Sequence, residues 1–365
     1  MKPVLEILIP TFNRSESAQK AIESVLECND ERISVRCNSN GYDQALQNFC
    51  NLKDKDGVHF DYFESNKGVH ANILKVLSDS NANFCMLLSD EDRINSNNYE
   101  DILKYLENLD SSISTVSCSI YNIGKPEHFW KPIESFSKFN LNDFVTISPI
   151  PTYMSGLIFK VDFLRSVHIE SFYKPSISNA YPHIDLTLQL LIEGMMGFYH
   201  GRFVEKGEDL YFGGDGHSHK NKDSNLKNYN NDNNDFNPLI YGPKARSRQF
   251  FYRESLLGGL KSKISTIPLF IGKLNYLEFH YGRIINSHND VIIPDNTNER
   301  DEALSGFFDS KESGEYSGST VSFLFKMLLI FPRFISNPIF YLLSFFNKLM
   351  RKAYMLNLHI FRKKK

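Results

Sequence analysis

The sequence predicts an α/β fold, a mostly parallel sheet flanked by helices, with a helical C-terminal extension. Two observations carry this. Short apolar runs alternate with amphipathic helical periods from residue 4 onward, the pattern of repeated βαβ units. The 365 residues include 30 Phe and 18 Tyr and are 41% hydrophobic, enough for a substantial core, with Gly and Pro in ordinary number. Disorder throughout, collagen and a disulfide-stapled miniprotein are thereby excluded.

The elements follow in order. Val4 to Ile9 reads as a strand, Ser15 to Leu26 as a helix, Ile33 to Cys37 as a strand and Tyr42 to Leu52 as a helix. Val58 to Phe63 and Phe84 to Leu88 continue as strands. The helix between them places Val69, Ile73, Val76 and Leu77 at i, i+4, i+7 and i+8. A helix near Asn98 to Leu109, a strand near Ser114 to Tyr121, a short strand at Leu157 to Phe159 and a helix from about His183 to Ile192 complete this part. Gly213 to Pro238 carries eight Asn between Asn221 and Asn237 and reads as a mobile loop. Ala245 to Leu260 and Pro268 to Asn286 read as helices, and Pro294 to Ser319 as a linker.

The net charge of −2 hides an asymmetry. From Tyr316 to Lys365 there are nine Lys or Arg and no acid, which leaves 32 basic against 43 acidic residues in the preceding chain. Cys28, Cys37, Cys50, Cys85 and Cys118 show no CxxC spacing and are expected to be buried, reduced thiols of a cytosolic domain.

In a parallel sheet, ligands bind beyond the carboxyl ends of the strands. There lie Pro10 to Arg14, Asn38 to Asp43, Glu64 to Gly68 and Ser89 to Asp92, all polar. Asp90-Glu91-Asp92 puts three carboxylates in one turn, a charge that a divalent cation with oxygen ligands, Mg²⁺ or Mn²⁺, would neutralise. A solvated acidic turn capping the next helix is the alternative.

The ordered series Ile7-Leu8-Ile9-Pro10-Thr11-Phe12-Asn13-Arg14, Asn38-Ser39-Asn40-Gly41, Asn66-Lys67-Gly68 with Asn72, and Ser89-Asp90-Glu91-Asp92 resembles glycosyltransferase family 2 and its GT-A, Rossmann-like fold, over roughly residues 4 to 200. The resemblance implies that Pro10, Thr11, Asn13, Asn38, Lys67 and Asp90 line the nucleotide site, Asn38 standing where the family more often has Asp. It implies Asp92 as direct metal ligand, with Asp90 toward the ribose and metal. Met154 to Phe159 looks like the acceptor-side strand, and Tyr181-Pro182-His183-Ile184-Asp185-Leu186 like the helix start that presents the base. Asp185 is the preferred base, with His183 as its rival or as an acceptor contact. His217, or its neighbour His219, would complete the metal or diphosphate site.

In the tail, Phe323 to Ile330 and Ile339 to Met350 are apolar but too short to span a bilayer. Ser344, Asn347, Lys348, Arg351 and Lys352 share one helical face, and Leu342, Phe346, Leu349 and Met350 the other. This is the pattern of an interfacial helix on an anionic leaflet. A helical pair packed on the catalytic domain and a dimerisation element are the alternatives. The tail is too apolar and the body too acidic for nucleic acid.

The expectation is therefore a catalytic domain over 1–212, with its nucleotide-sugar half at about 1–95 and its acceptor half at about 96–212. A loop over 213–238, a helical extension over 239–290, a linker over 291–320 and a membrane-associating tail over 321–365 follow. The resemblance implies a metal-dependent, inverting bacterial enzyme, and the basic, apolar tail places it peripherally on the cytoplasmic side of the membrane, with an oligomer as an open alternative. It would move a sugar from a nucleotide-sugar donor to a growing, lipid-linked glycan of O-antigen or capsule. A non-catalytic GT-A-like scaffold is the alternative.

Overall fold

The computed structural model describes residues 2–54, 57–130, 138–147, 153–169, 181–207, 243–285, 303, 305–309, 319–330 and 333–362. The Asn-rich tract with His217 and His219, and most of the expected linker, lie outside these residues. The described chain forms two compact units, one within residues 1–140, 152–175 and 181–210, the other within 141–151, 176–180 and 211–365.

The first unit is a ten-stranded sheet. β1 (Leu5–Thr11) is buried along its whole length, as a central strand covered on both faces must be. β2 (Ile33–Ser39) and β4 (Phe84–Leu87) flank it in parallel, and β3 (Val58–Tyr62), partly exposed, lies outside β2. Strand order therefore reverses at β1, the switch point at which such sheets open a crevice. The β1–β4 ladder ends at Leu8 opposite Leu87, so the missing N–H of Pro10 leaves no gap on that side.

β5 (Arg93–Ile94), β6 (Ile113–Asn122), β7 (His128–Trp130), β8 (Lys138–Phe139), β9 (Leu157–Lys160) and β10 (Met195–Lys206) complete the sheet, with β9 inserted antiparallel between β4 and β6. α1 (Ser15–Leu26), α2 (Gln44–Leu52), α3 (Val69–Ser78), α4 (Tyr99–Glu107), α6 (Val161–Arg165) and α7 (Pro182–Glu193) cover it. α2 is capped by Asp43, whose Oδ1 accepts from the Leu46 N–H at 3.0 Å, while its Oδ2 accepts from Ser15 Oγ at 2.5 Å and ties the starts of α1 and α2 together. All five cysteines are buried and unpaired.

β10 is the longest of the elements that sequence periodicity missed, besides the short β5, β7, β8, α5 and α6. Gly197, His200 and Gly201 break its apolar alternation, and a register shift between Tyr199 and Val204 breaks the ladder to β6.

The second unit is helical: α5 (Leu141–Ile147), α8 (Pro243–Gly259), α9 (Thr266–Ile285), α10 (Thr320–Ile330) and α11 (Arg333–Arg362), with a short helical stretch at 305–309. Its core stacks Phe250 on Phe325, centroids 3.9 Å apart, with Phe251 edge-on to Phe325. Glu254, fully buried, accepts from Lys273, from Ser319 Oγ at 2.6 Å and from Ser322 Oγ at 2.8 Å. α11 runs unbroken through Pro338, which lies in its second turn and removes a single backbone hydrogen bond.

The polar face of α11 is not free, because it packs on α9 while the apolar face stays exposed. Ser344 and Asn347 are buried, donating to Glu278 at 2.7 and 2.9 Å, and Asn347 also donates to Asn275. Arg351 pairs with Glu278 at 3.6 Å. Among the described residues no helix is long and apolar enough to cross a membrane.

Candidate active site

The carboxyl ends of β1, β2 and β4 are joined by side chains in addition to the backbone bond from the Asn40 N–H to the Thr11 carbonyl at 2.8 Å. At the end of β1, Thr11 Oγ1 donates to Asp90 Oδ2 at 2.6 Å, and two residues on Asn13 takes φ 54°, a turn conformation that Asn tolerates better than most residues. That turn delivers Arg14, whose guanidinium reaches both Asp90 Oδ1 at 3.2 Å and Glu91 Oε1 at 2.8 Å.

A lattice of asparagines holds the β2 side. Asn38 Nδ2 donates to Asn72 Oδ1 at 2.6 Å, and Asn72 Nδ2 donates to the Thr11 carbonyl at 2.9 Å. Asn40 Nδ2 donates to Asn66 Oδ1, which also accepts from the Gly68 N–H, and Asn40 Oδ1 accepts from the Lys67 N–H at 2.7 Å. Lys67 is thus positioned by its backbone, with an exposed side chain. Asn38 Oδ1 is a buried acceptor with no donor among the described residues, the condition of a group that awaits a ligand's N–H or O–H.

Asp92 is wholly buried, and its carboxylate is encircled. Tyr153 Oη donates to it at 2.7 and 2.8 Å, Ser155 Oγ at 2.5 Å and the Gly207 N–H at 3.1 Å. Gly156, at φ 78° beside Ser155, lets β9 begin this close to Cys118, whose Cβ would stand 3.0 Å from an added methyl. The Arg93 guanidinium caps the turn, donating to the carbonyls of Asp90 and Asp92 at 3.1 and 2.7 Å.

Burial raises the pKa of all three carboxyls. For Asp90 this outweighs Arg14 and the Thr11 hydroxyl, for Asp92 it outweighs the Ser155, Tyr153 and Gly207 donors, and Glu91 is pushed up to about 7 despite Arg14. Arg14, Arg93 and Lys206 oppose this shift, and the donors of the turn are hard oxygens. In charge and donor type the turn fits a divalent cation. Among the described residues no three His, Cys, Asp or Glu side chains converge as a complete ligand set, so water and ligand oxygens would have to finish the coordination.

His183 and Asp185 lie in the first turn of α7, both buried, on a helix that starts with Pro182 and packs on β6 through the Ser114 hydroxyl. Neither is a direct partner of Asp90 or Asp92. Pro10 lies beside Asn38 in the β1–β2 register, and Asn13 is exposed. The sequence reading assigned no role to Arg14, Tyr153, Ser155 or Gly207. Arg14 stood in a quoted motif, whereas nothing local marks Tyr153 or Gly207, which meet Asp92 only through the sheet order.

Residues 6–164 match the family described as Glycosyl transferase family 2. No curated protein matches in sequence. Residues 1–349 of S. aureus TarS superpose with TM-score 0.58 at 11% identity, covering 98% of this chain and 92% of that one, and the same fragment solved with UDP-GlcNAc gives 0.57. The mannosyltransferase PcManGT of Pyrobaculum calidifontis, solved with GDP-Man and Mn²⁺, aligns at TM-score 0.45 and 8% identity over 98% of this chain and 88% of that one. The TarS likeness shows the fold, GT-A.

Proposed function

We propose that this chain, a glycosyltransferase carrying a family 2 domain, moves a sugar with inversion from a nucleotide-sugar donor to a growing, lipid-linked glycan of bacterial surface polysaccharide, O-antigen or capsule, at the cytoplasmic face of the membrane. The observation that carries the reading is the knot at the sheet's switch point: Thr11 at the end of β1 and Arg14 in the turn after it on Asp90 in the turn after β4, with Asn38 from β2 presenting a spare acceptor beside them.

In this reading Pro10, Thr11, Asn13 and Asn38 line the nucleotide site. The free Oδ1 of Asn38 accepts from a base N–H or a ribose hydroxyl, and Asn72 fixes which end of the amide faces the ligand. Lys67 supplies positive charge from its turn. Asp90 and Asp92 hold the cation, Mn²⁺ or Mg²⁺, with His217 as a further candidate ligand. When bound, the cation stabilises the charge that develops on the departing nucleoside diphosphate. Tyr153 and Ser155 fix the rotamer of Asp92. Asp185, near the positive end of the α7 dipole, takes the acceptor hydroxyl's proton as that oxygen attacks the anomeric carbon, with His183 as the rival base.

The test is thermal unfolding with a panel of nucleotide sugars, with and without Mn²⁺, followed by sugar transfer with Asp185→Asn. A donor-specific, Mn²⁺-dependent rise in the midpoint, together with donor binding retained and transfer lost in the variant, is expected. Stabilisation by no nucleotide sugar defeats the reading, and full transfer by the variant removes Asp185 as base.

A further inference from the structure

The outward side of α11 is apolar along most of its length. Ile335, Ile339, Leu342, Phe346, Leu349 and Leu356 are all exposed, three of them (Leu342, Phe346 and Leu356) by more than half of their surface, and steps of four and three residues, with seven at the last, keep them on one stripe. The stripe covers about 32 Å of helix at 1.5 Å per residue. Phe345 and Tyr341, 57% and 62% exposed, widen it on one side, and Lys348 and Lys352 border that same side.

The polar side of the helix is already committed. Ser344, Asn347 and Arg351 go to Glu278 and Asn275, and Tyr354 Oη reaches Asp143 at 3.4 Å. The helix is therefore a fixed part of the helical unit and holds its apolar stripe outward.

Two occupants suit such a stripe, a second copy or a lipid surface, and charge decides between them. Residues 333–362 contain no acid, so a paired copy of this helix would bring together the lysines of both chains with no acid on either helix to neutralise them. Anionic headgroups complement the same lysines, and exposed Tyr and Phe suit the headgroup boundary.

We propose that the exposed face of α11 docks the protein flat on an anionic lipid leaflet, with Leu342, Phe345, Phe346 and Leu349 at the acyl boundary and Lys348 and Lys352 among the headgroups. This deepens the membrane-surface part of the function proposed above and rests on it. The side chains that would enter the lipid are ones of which the fold leaves about half of the surface uncovered.

The experiment is flotation of the full chain with vesicles of phosphatidylcholine alone or mixed with phosphatidylglycerol, alongside light scattering without lipid. The wild-type chain should float with the anionic vesicles. Lys348→Gln with Lys352→Gln should lower partitioning about thirtyfold, and Leu342→Ser with Phe345→Ser and Phe346→Ser on the order of a hundredfold, with unchanged circular dichroism. Failure of the wild type to float on the anionic vesicles, or a dimer that the serine variant dissociates, overturns the proposal. Sugar transfer to a soluble acceptor analogue is read separately: transfer without flotation sinks the docking face alone, and flotation without transfer sinks the proposed activity alone.

Discussion

Gly207→Ala tests whether the end of β10 pins the acidic turn. A Cβ added at Gly207 would stand 1.8 Å from the Glu91 carbonyl oxygen, and 3.0 Å is the distance below which such contacts are essentially never found. The turn must retreat by at least about 1.2 Å, because both obstructing groups are backbone and neither can rotate away. The same shift pulls the Gly207 N–H off Asp92, 3.1 Å away, and leaves a fully buried carboxylate with one donor fewer. Overpacking at about 1–3 kcal/mol and a lost hydrogen bond to a charged acceptor at about 1.5–3 kcal/mol give a destabilisation of roughly 3–5 kcal/mol. Displacement of the proposed cation ligands by about 1 Å should also cost roughly 100-fold in kcat/KM. The single tryptophan, Trp130, lies in β7 of the same unit and reports its urea unfolding by fluorescence. A variant within about 1 kcal/mol and tenfold of wild type would refute the pinning argument.

Four further outcomes follow. Burial holds the Glu91 pKa at about 7 against an ordinary 4.5, so the folded chain keeps a proton that the unfolded chain releases. That stabilisation is complete below pH 4.5 and fades as pH rises through 7; Glu91→Gln should therefore flatten the decline in urea midpoint across this window, and an unchanged slope counts against it. Asn72→Ala strips Asn38 of its acceptor and the Thr11 carbonyl of one of its two donors, leaving it the Asn40 N–H, so donor KM should rise about tenfold while kcat changes little, as measured by initial rates at saturating acceptor. Glu254→Ala leaves the half-buried Lys273 without its carboxylate and Ser319 and Ser322 without their acceptor, and should destabilise the helical unit by about 3 kcal/mol in denaturant titration, while Glu254→Gln should cost less. Burial raises the Cys28 and Cys50 thiols to about 12 and the other three well above the usual value, so no cysteine should react with a thiol reagent until the chain unfolds; rapid labelling of the native protein would contradict this.

The first half of the sheet could be read from the sequence because its signals are local. Val4 to Ile9 is apolar but for Glu6, Val69 to Leu77 repeats at helical spacing, and the polar residues after each strand mark the crevice. The site was legible to the same depth. The acidic turn and the Pro10 to Arg14 segment stand out as strings, and Thr11 does join Asp90. What surrounds Asp92 could not be read in this way. Tyr153, Ser155 and Gly207 lie 61, 63 and 115 residues from it in sequence. They meet it because β9 inserts antiparallel between β4 and β6 while β10 returns parallel to β6. No local pattern encodes that order, and β10, the strand that supplies the Gly207 contact, is the one whose glycines hide its period.

In α11 the limit is of a different kind. Periodicity separated its polar face from its apolar face but could not say which one turns inward, because burial depends on the partner surface rather than on the helix alone. Burying leucines is the default, since apolar area removed from water is the larger free-energy gain. The default fails where the facing helix presents Glu278 and Asn275, both of which need partners once covered. Ser344, Asn347 and Arg351 satisfy them, and a leucine in their place would leave a carboxylate desolvated and unpaired. The polar pairing thus fixes the rotation of the helix, and the exposed apolar stripe is its consequence. Replacing Glu278 with Leu removes the demand for polar partners on α9. If the pairing sets the facing, Leu342 and Phe346 should become less exposed in that variant; a spin label at Leu342 with unchanged mobility would refute it.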